Sequence, residues 1–215
     1  MRSLVPIPGN PWPHDMSIRV EDDPHALLEL LWVRDVYGLR PPGDVPPPLT
    51  DPPTARRSPT DATASSNAWS ELWRGALTHL ADLDPLPLIA KIESTAPGSE
   101  ERRALLDQLR GPTWRGRFGA EPFDASFSDW VSRRVQERVA RHRAPLHEHP
   151  ERRALESLIP AWKAGLAKVI EIPCRGEFTR IAGLSALLVT AETRADPELY
   201  AEALTLFAAR AQSGS

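Results

Sequence analysis

The sequence predicts an α+β fold, mostly α: a helical N-terminal two-thirds packed on a small C-terminal antiparallel sheet of about three strands, closed by a terminal helix. Two observations carry this expectation. Before residue 166, apolar residues recur three and four apart, the period of helices with one buried face. Between Leu166 and Thr190, short apolar and β-branched runs alternate with turn residues, which suits strands better than helices of ten or more residues.

In chain order, the first helix runs from Pro24 to Tyr37, with Asp23 as cap, Pro24 at the first helical position and Gly38 beyond the end. Its interior is apolar nearly all round, broken only by Glu29, Arg34 and Asp35, so it belongs in a core. Prolines at 41, 42, 46, 47, 48, 52, 53 and 59 then forbid helix and predict a long extended loop over 39–66. A second helix spans Asn67 to Leu83, with Trp69, Leu72, Trp73, Ala76 and Leu80 on one face. Leu88, Ile89 and Ile92 suggest a further turn, and a third helix follows the Ser99 cap as far as Gly111. Thr113 to Pro122 reads as a loop. A fourth helix covers Ser126 to Arg143, with Phe127, Trp130, Val131, Val135 and Val139 inward. A fifth covers Pro150 to Lys168, broken near Glu156 by Pro160. The strands are Val169–Ile172, Glu177–Ala182 and Ala186–Thr190, with turns at 174–176 and 183–185. Ala186–Thr190 is apolar on both faces and should be central. The last helix, Pro197 to Arg210, is capped by Asp196, with Leu199, Ala203, Leu206 and Phe207 inward.

These elements make a single globular domain over 17–211, between a flexible Pro-rich tail at 1–16 and a frayed end at 212–215. Met16 offers a second possible start, which would make the first fifteen residues dispensable. The net charge is −3, so nothing global draws the chain to nucleic acid or an anionic membrane. No run approaches the length of a membrane span. A single cysteine excludes an internal disulfide framework and fits a reducing cytoplasm.

Chemistry has few places to sit. Cys174 and Arg180 stand at the Cys-x5-Arg spacing with which some phosphatases cradle phosphate. That motif needs a helix after the loop, where this sequence predicts strands, and Glu177 would repel the phosphate. Arg175, Glu177, Arg180, Glu171 and Lys168 cluster on the predicted hairpin. Cross-strand ion pairing explains them; alternatively Arg175, Glu177 and Arg180, with Cys174 and with Arg115 from the glycine-containing loop, hold a polar ligand in a cleft. Arg134, Arg138 and Arg141 form a basic stripe on the fourth helix, at i, i+4, i+7. The acidic chain around it favours a solvated face over a nucleic-acid surface. His147-Glu148-His149 lacks the third and fourth ligands that zinc requires, so no metal and no cofactor are expected.

Three stretches carry a resemblance: Val-Glu-Asp-Asp-Pro-His-Ala-Leu-Leu-Glu-Leu-Leu-Trp-Val-Arg (20–34), Ile-Pro-Ala-Trp-Lys-Ala-Gly-Leu (159–166) and Ile-Pro-Cys-Arg-Gly-Glu-Phe-Thr-Arg (172–180). In these the chain resembles small uncharacterised proteins of high-GC Gram-positive bacteria. The resemblance covers most of the sequence after Met16 and implies no catalytic residues. With many good core positions and no complete catalytic set, the expectation is a soluble, cytoplasmic, non-catalytic binding or protein-interaction protein. The rival is a small enzyme or ligand-binding protein built on the 174–180 hairpin.

Overall fold

The computed structural model of the chain describes residues 11–54, 57–59 and 61–213. Parts of three expected segments lie outside the described residues: 1–10 of the N-terminal tail, positions 55, 56 and 60 of the long loop, and 214–215. The fold is α+β and mostly α, 57% helical with one small sheet. By its contacts the chain divides into two compact units, Pro24–Phe127 and Met1–Asp23 with Ser128–Ser215.

The second of these contains the sheet. Its strands are β1 (Arg19–Glu21), β2 (Lys168–Ile172), β3 (Thr179–Ala182) and β4 (Ala186–Thr190), in the spatial order β1-β2-β4-β3. The sheet is mixed and four-stranded, which corrects the expectation of about three antiparallel strands. β1 and β4 both run parallel to β2, and only β3 is antiparallel, to β4. β2 and β3 are not neighbours, so 173–178 is a crossing connection rather than a hairpin turn. The reason lies in burial. Every residue of β4 is buried, so it takes a central place between β2 and β3. Thr179, Arg180 and Ile181 are only half-buried, which suits β3 to the edge. β1 is three residues long and carries no pattern of its own, so sequence periodicity could not show it.

Two helices cover the face of the sheet that carries Val169, Leu187 and Val189. They are α8 (Leu155–Lys163) and α10 (Pro197–Ser213), which contribute Leu155, Leu158, Ala161, Tyr200, Ala203, Leu204 and Phe207 to one core. α10 turns Tyr200 and Leu204 inward and leaves Leu206 exposed, against expectation. Asp196 caps it as predicted, accepting hydrogen bonds from the Glu198 and Leu199 amides at 2.9 and 3.1 Å. The helix expected over 150–168 is two pieces, α7 (Pro150–Arg153) and α8, joined at Ala154. Pro160 lies inside α8 without interrupting it, so the break falls at Ala154 and not near Glu156, one turn before the proline, where it was expected.

The other unit is helical: α1 (His25–Tyr37), α2 (Ala62–Asp82), α3 (Pro85–Ser94), α4 (Glu100–Arg110) and α5 (Trp114–Phe118). α5 occupies a stretch expected to be loop; Thr113 caps it by accepting from the Gly116 amide at 3.0 Å. α2 starts earlier than predicted because Asp61, not Asn67, is its cap. Along α1, nine of thirteen residues are buried, and Gly38 ends it in the left-handed region at φ 58°. The Trp69 indole donates to the Leu30 carbonyl at 2.6 Å and stacks on Trp73 with the rings 5.1 Å apart, which fixes α2 against α1.

The described part of the Pro-rich loop is held by side chains of α1. Prolines donate nothing, but their carbonyls still need partners. The buried Arg34 guanidinium donates to the carbonyls of Pro46 and Pro47, and Asp35 accepts from the Leu49 amide at 2.8 Å. Arg57 donates to Glu121 and to Asp124, each at 2.6 Å. Arg34→Ala should therefore destabilise the fold by roughly 2–4 kcal/mol in urea unfolding, because it orphans two carbonyls and removes the Arg34 Nε bond to Asp35 Oδ1 at once. Limited proteolysis should then cut the variant between residues 39 and 54 faster than wild type; unchanged stability and cleavage would refute the clamp.

Candidate functional site

The strand order brings the carboxyl ends of β1, β2 and β4 together, and in parallel sheets that edge is where ligands bind. A cavity of about 480 Å³ opens there. Ile18, Val20 and Asp22 come from β1 and its flanks, Glu171 from β2, and Ala191, Arg194 and Ala195 from α9 (Ala191–Ala195), which follows β4. The far wall is Arg141 and His142 at the end of α6 (Ala125–His142), Ala144, Glu148, His149, and Pro150, Glu151 and Arg153 of α7. Strand alternation explains part of this set. Glu171 shares its face of β2 with the core residue Val169, and the same alternation places Ile18, Val20 and Asp22 together along β1.

At the base of the cavity is an ion network. Glu171 is 1% exposed. Its Oε1 accepts from Arg141 Nη1 at 2.8 Å and its Oε2 from Arg194 Nη1 at 2.7 Å. Arg194 also grips Glu151 with two parallel bonds, Nε to Oε1 at 2.8 Å and Nη2 to Oε2 at 2.9 Å. The buried Tyr200 hydroxyl donates to Glu151 Oε1 at 3.2 Å. Burial works to raise the Glu171 carboxyl, but attraction to Arg194 and Arg141 outweighs it and holds the group below the usual carboxylate range. Burial, with Glu151 alongside, pushes the Tyr200 phenol well up, so it stays protonated and donating.

The basic stripe is a partly exposed row of ion-paired and ring-stacked arginines rather than a wholly solvated face. Arg141 pairs with Glu171, Arg138 with Asp23, and Arg134 is half-buried over the Trp130 ring, 5.5 Å from its centroid. Val135 and Val139, expected inward, are 37% and 45% exposed. Acids at the ends of β1 and β2 decide which side of α6 turns in: Asp23 and Glu171 need cations more than the sheet needs two valines. Asp23 is consequently not the cap of α1, whose N-cap is Pro24.

The hairpin candidates lie elsewhere. Cys174 is fully buried and is followed by a strand, not by the helix that phosphate-cradling loops require. Arg175 and Glu177 are exposed, Arg180 is half-buried on the edge strand, and none of the three lines the cavity. Their segment is tied down by the start of α9. The Gly176 amide donates to Glu192, the Phe178 amide to Thr193, and Thr190 Oγ1 to the Gly176 carbonyl. Gly176 has φ 68°, the left-handed conformation expected of it. Arg115 belongs to the helical unit, where it donates to the buried Glu29 at 3.2 Å. His149 lines the cavity while His147 is 80% exposed, and among the described residues no three potential metal ligands converge. Sequence reading missed Asp22, Glu151, Arg194 and Tyr200. One signal was available: Glu171 interrupts the apolar run Val169–Ile172, and a charge inside a buried strand demands partners. Comparison with protein-family models, curated proteins and solved structures finds no match. Among the described residues no helix is long and apolar enough to cross a membrane.

The pH dependence follows from the Glu171 shift. A carboxyl held low in the folded state contributes stability that is complete above its unfolded value, about 4.3, and is lost as pH falls toward the lower folded value. Glu171→Gln should be less stable than wild type at pH 7 by roughly 3–5 kcal/mol, since Arg194 keeps only part of its compensation. The gap should narrow below about pH 4, as wild type protonates. Chemical denaturation at pH 7, 5 and 3.5 measures it; a gap independent of pH would show that Glu171 is not the buried anion.

Proposed function

We propose that this protein is a non-catalytic binder of a small molecule, held in the cavity at the carboxyl end of β1, β2 and β4. The observation that carries this reading is the cavity's construction: polar groups from five separate segments converge on one concavity whose remaining wall is apolar. Its volume is in the range of small-ligand sites. The inner acids and bases hold one another. Arg194 is engaged by two glutamates, and Tyr200 by Glu151, so they form a rigid floor rather than a nucleophile with its base. Arg141 and Asp22, more exposed than Arg194 and Glu171, keep hydrogen-bonding capacity for a ligand.

A fragment library followed by amide chemical shifts on the full chain tests this. Binders should move signals of Asp22, Arg141, Glu171 and Ala191 together. Ala191→Trp, which places an indole in the cavity wall, should abolish those shifts while circular dichroism still reports the native helix content. A library that finds no fragment moving those signals would overturn the reading.

A further inference from the structure

Resting on that reading, we infer that the cavity takes a zwitterion: a small molecule that carries a primary ammonium and a carboxylate on an apolar body, the chemistry of an amino acid. Three observations lead there. The first is charge balance. Asp22, Glu148, Glu151 and Glu171 supply four carboxylates to the lining, and Arg141, Arg153 and Arg194 supply three guanidiniums. A strongly anionic ligand would meet the carboxylates, and a polycation the guanidiniums. A ligand of no net charge with both signs meets neither penalty.

The second is which groups have capacity left. Glu171 has each oxygen engaged by a guanidinium, and Arg194 has each nitrogen engaged. Arg141 differs: one nitrogen holds Glu171, the side chain is 45% exposed, and the other donors of the guanidinium remain to bind a carboxylate. Asp22 is the matching acceptor. Its side chain is only 17% exposed, and the ring nitrogen facing it is His142 Nε2 at 3.7 Å, beyond hydrogen-bonding distance. A mostly buried carboxylate without a close donor is the group an ammonium would satisfy.

The third is placement. The β1–β2 register ends with Glu21 opposite Ile170, so Asp22 comes beside Glu171, the residue that Arg141 holds. Arg141 is adjacent in sequence to His142, which reaches toward Asp22. The two groups of opposite sign with bonding capacity left therefore stand at the same end of the cavity, as an ammonium and a carboxylate on one carbon require. Ile18, Val20, Ala144 and Pro150 line the wall beyond and would receive an aliphatic side chain.

The experiment compares L-leucine with its two half-charged analogues, 4-methylpentanoate and isopentylamine, by calorimetry and amide shifts on the full chain at pH 7. Leucine should bind about tenfold or more tightly than either analogue, the worth of one charge-assisted hydrogen bond. Asp22→Asn, nearly isosteric, should erase the advantage of leucine over 4-methylpentanoate, weakening leucine while 4-methylpentanoate, relieved of one neighbouring anion, binds at least as well as before. The ranking on wild-type protein stands whether or not that variant folds. An analogue that binds at the cavity as well as leucine does would overturn the zwitterion and leave the small-molecule reading standing. No binding by any of the three would also overturn it, and the fragment library then decides separately whether the cavity binds anything.

Discussion

The sheet unit depends on burying one carboxylate. Glu171 points into the covered face of a strand that is otherwise apolar, and there it is unsustainable alone. Its requirement for cations reaches far along the chain. Arg141 comes from the end of α6 and Arg194 from the helix after β4. Because Arg194 must also be balanced, Glu151 is drawn in from α7, and Tyr200 from α10 supplies its remaining hydrogen bond. One buried charge therefore connects four helices to one strand. Replacing such a set with well-packed apolar residues is often neutral or stabilising, so its presence is not explained by stability alone. It does ensure that α6 meets the sheet with its arginines and not its valines.

The cavity is a consequence of that choice. Had α6 turned Val135 and Val139 inward, the end of the sheet would be closed by aliphatic packing. Instead Arg141 reaches Glu171 on a long stem, and the cavity lies among the residues of the helix end and the strands. Parallel pairing adds the second condition. Because β1 and β4 run in the direction of β2, the chain leaves all three strands at one edge, and Asp22, Glu171 and the start of α9 arrive there together. In the meander expected from sequence, β3 would have stood between β2 and β4 and separated Glu171 from the start of α9 by a further strand.

This contrast shows how much was legible beforehand. The longer helices, β2 and β4 were readable because each has a strong local period or a run of β-branched residues, and β4 was readable as central because it is apolar on both faces; the five-residue α5 and α9 are too short to show a period. Pairing direction was not, because a turn-like Pro173 to Gly176 looks the same whether the chain reverses beside β2 or crosses to the far side of β4. The basic stripe was legible as a stripe but not in its orientation, since hydrophobic periodicity assigns arginines to solvent by default. The site was nearly invisible. Its members are single charged residues scattered from Asp22 to Arg194, and only the three-dimensional register assembles them.

The helical unit contains a useful comparison. Glu29 is as deeply buried as Glu171, at 1% exposure, on a helix that is otherwise apolar nearly all round. Its Oε1 meets His25 at 3.3 Å and Arg115 at 3.2 Å, but its Oε2 is buried with no hydrogen-bond partner. Glu171 has both oxygens bound at under 3 Å by two guanidiniums. The difference follows from where each sits. α1 is a single cylinder whose neighbours bring one arginine, whereas a strand end in a parallel sheet is approached by several helix termini at once. A charge can be fully satisfied at the second kind of place and only half at the first. The same convergence of chain ends that completes Glu171 also gathers Asp22 and Arg141 around an opening, which is why the polar chemistry of this chain collects at the sheet edge and not in its helical half.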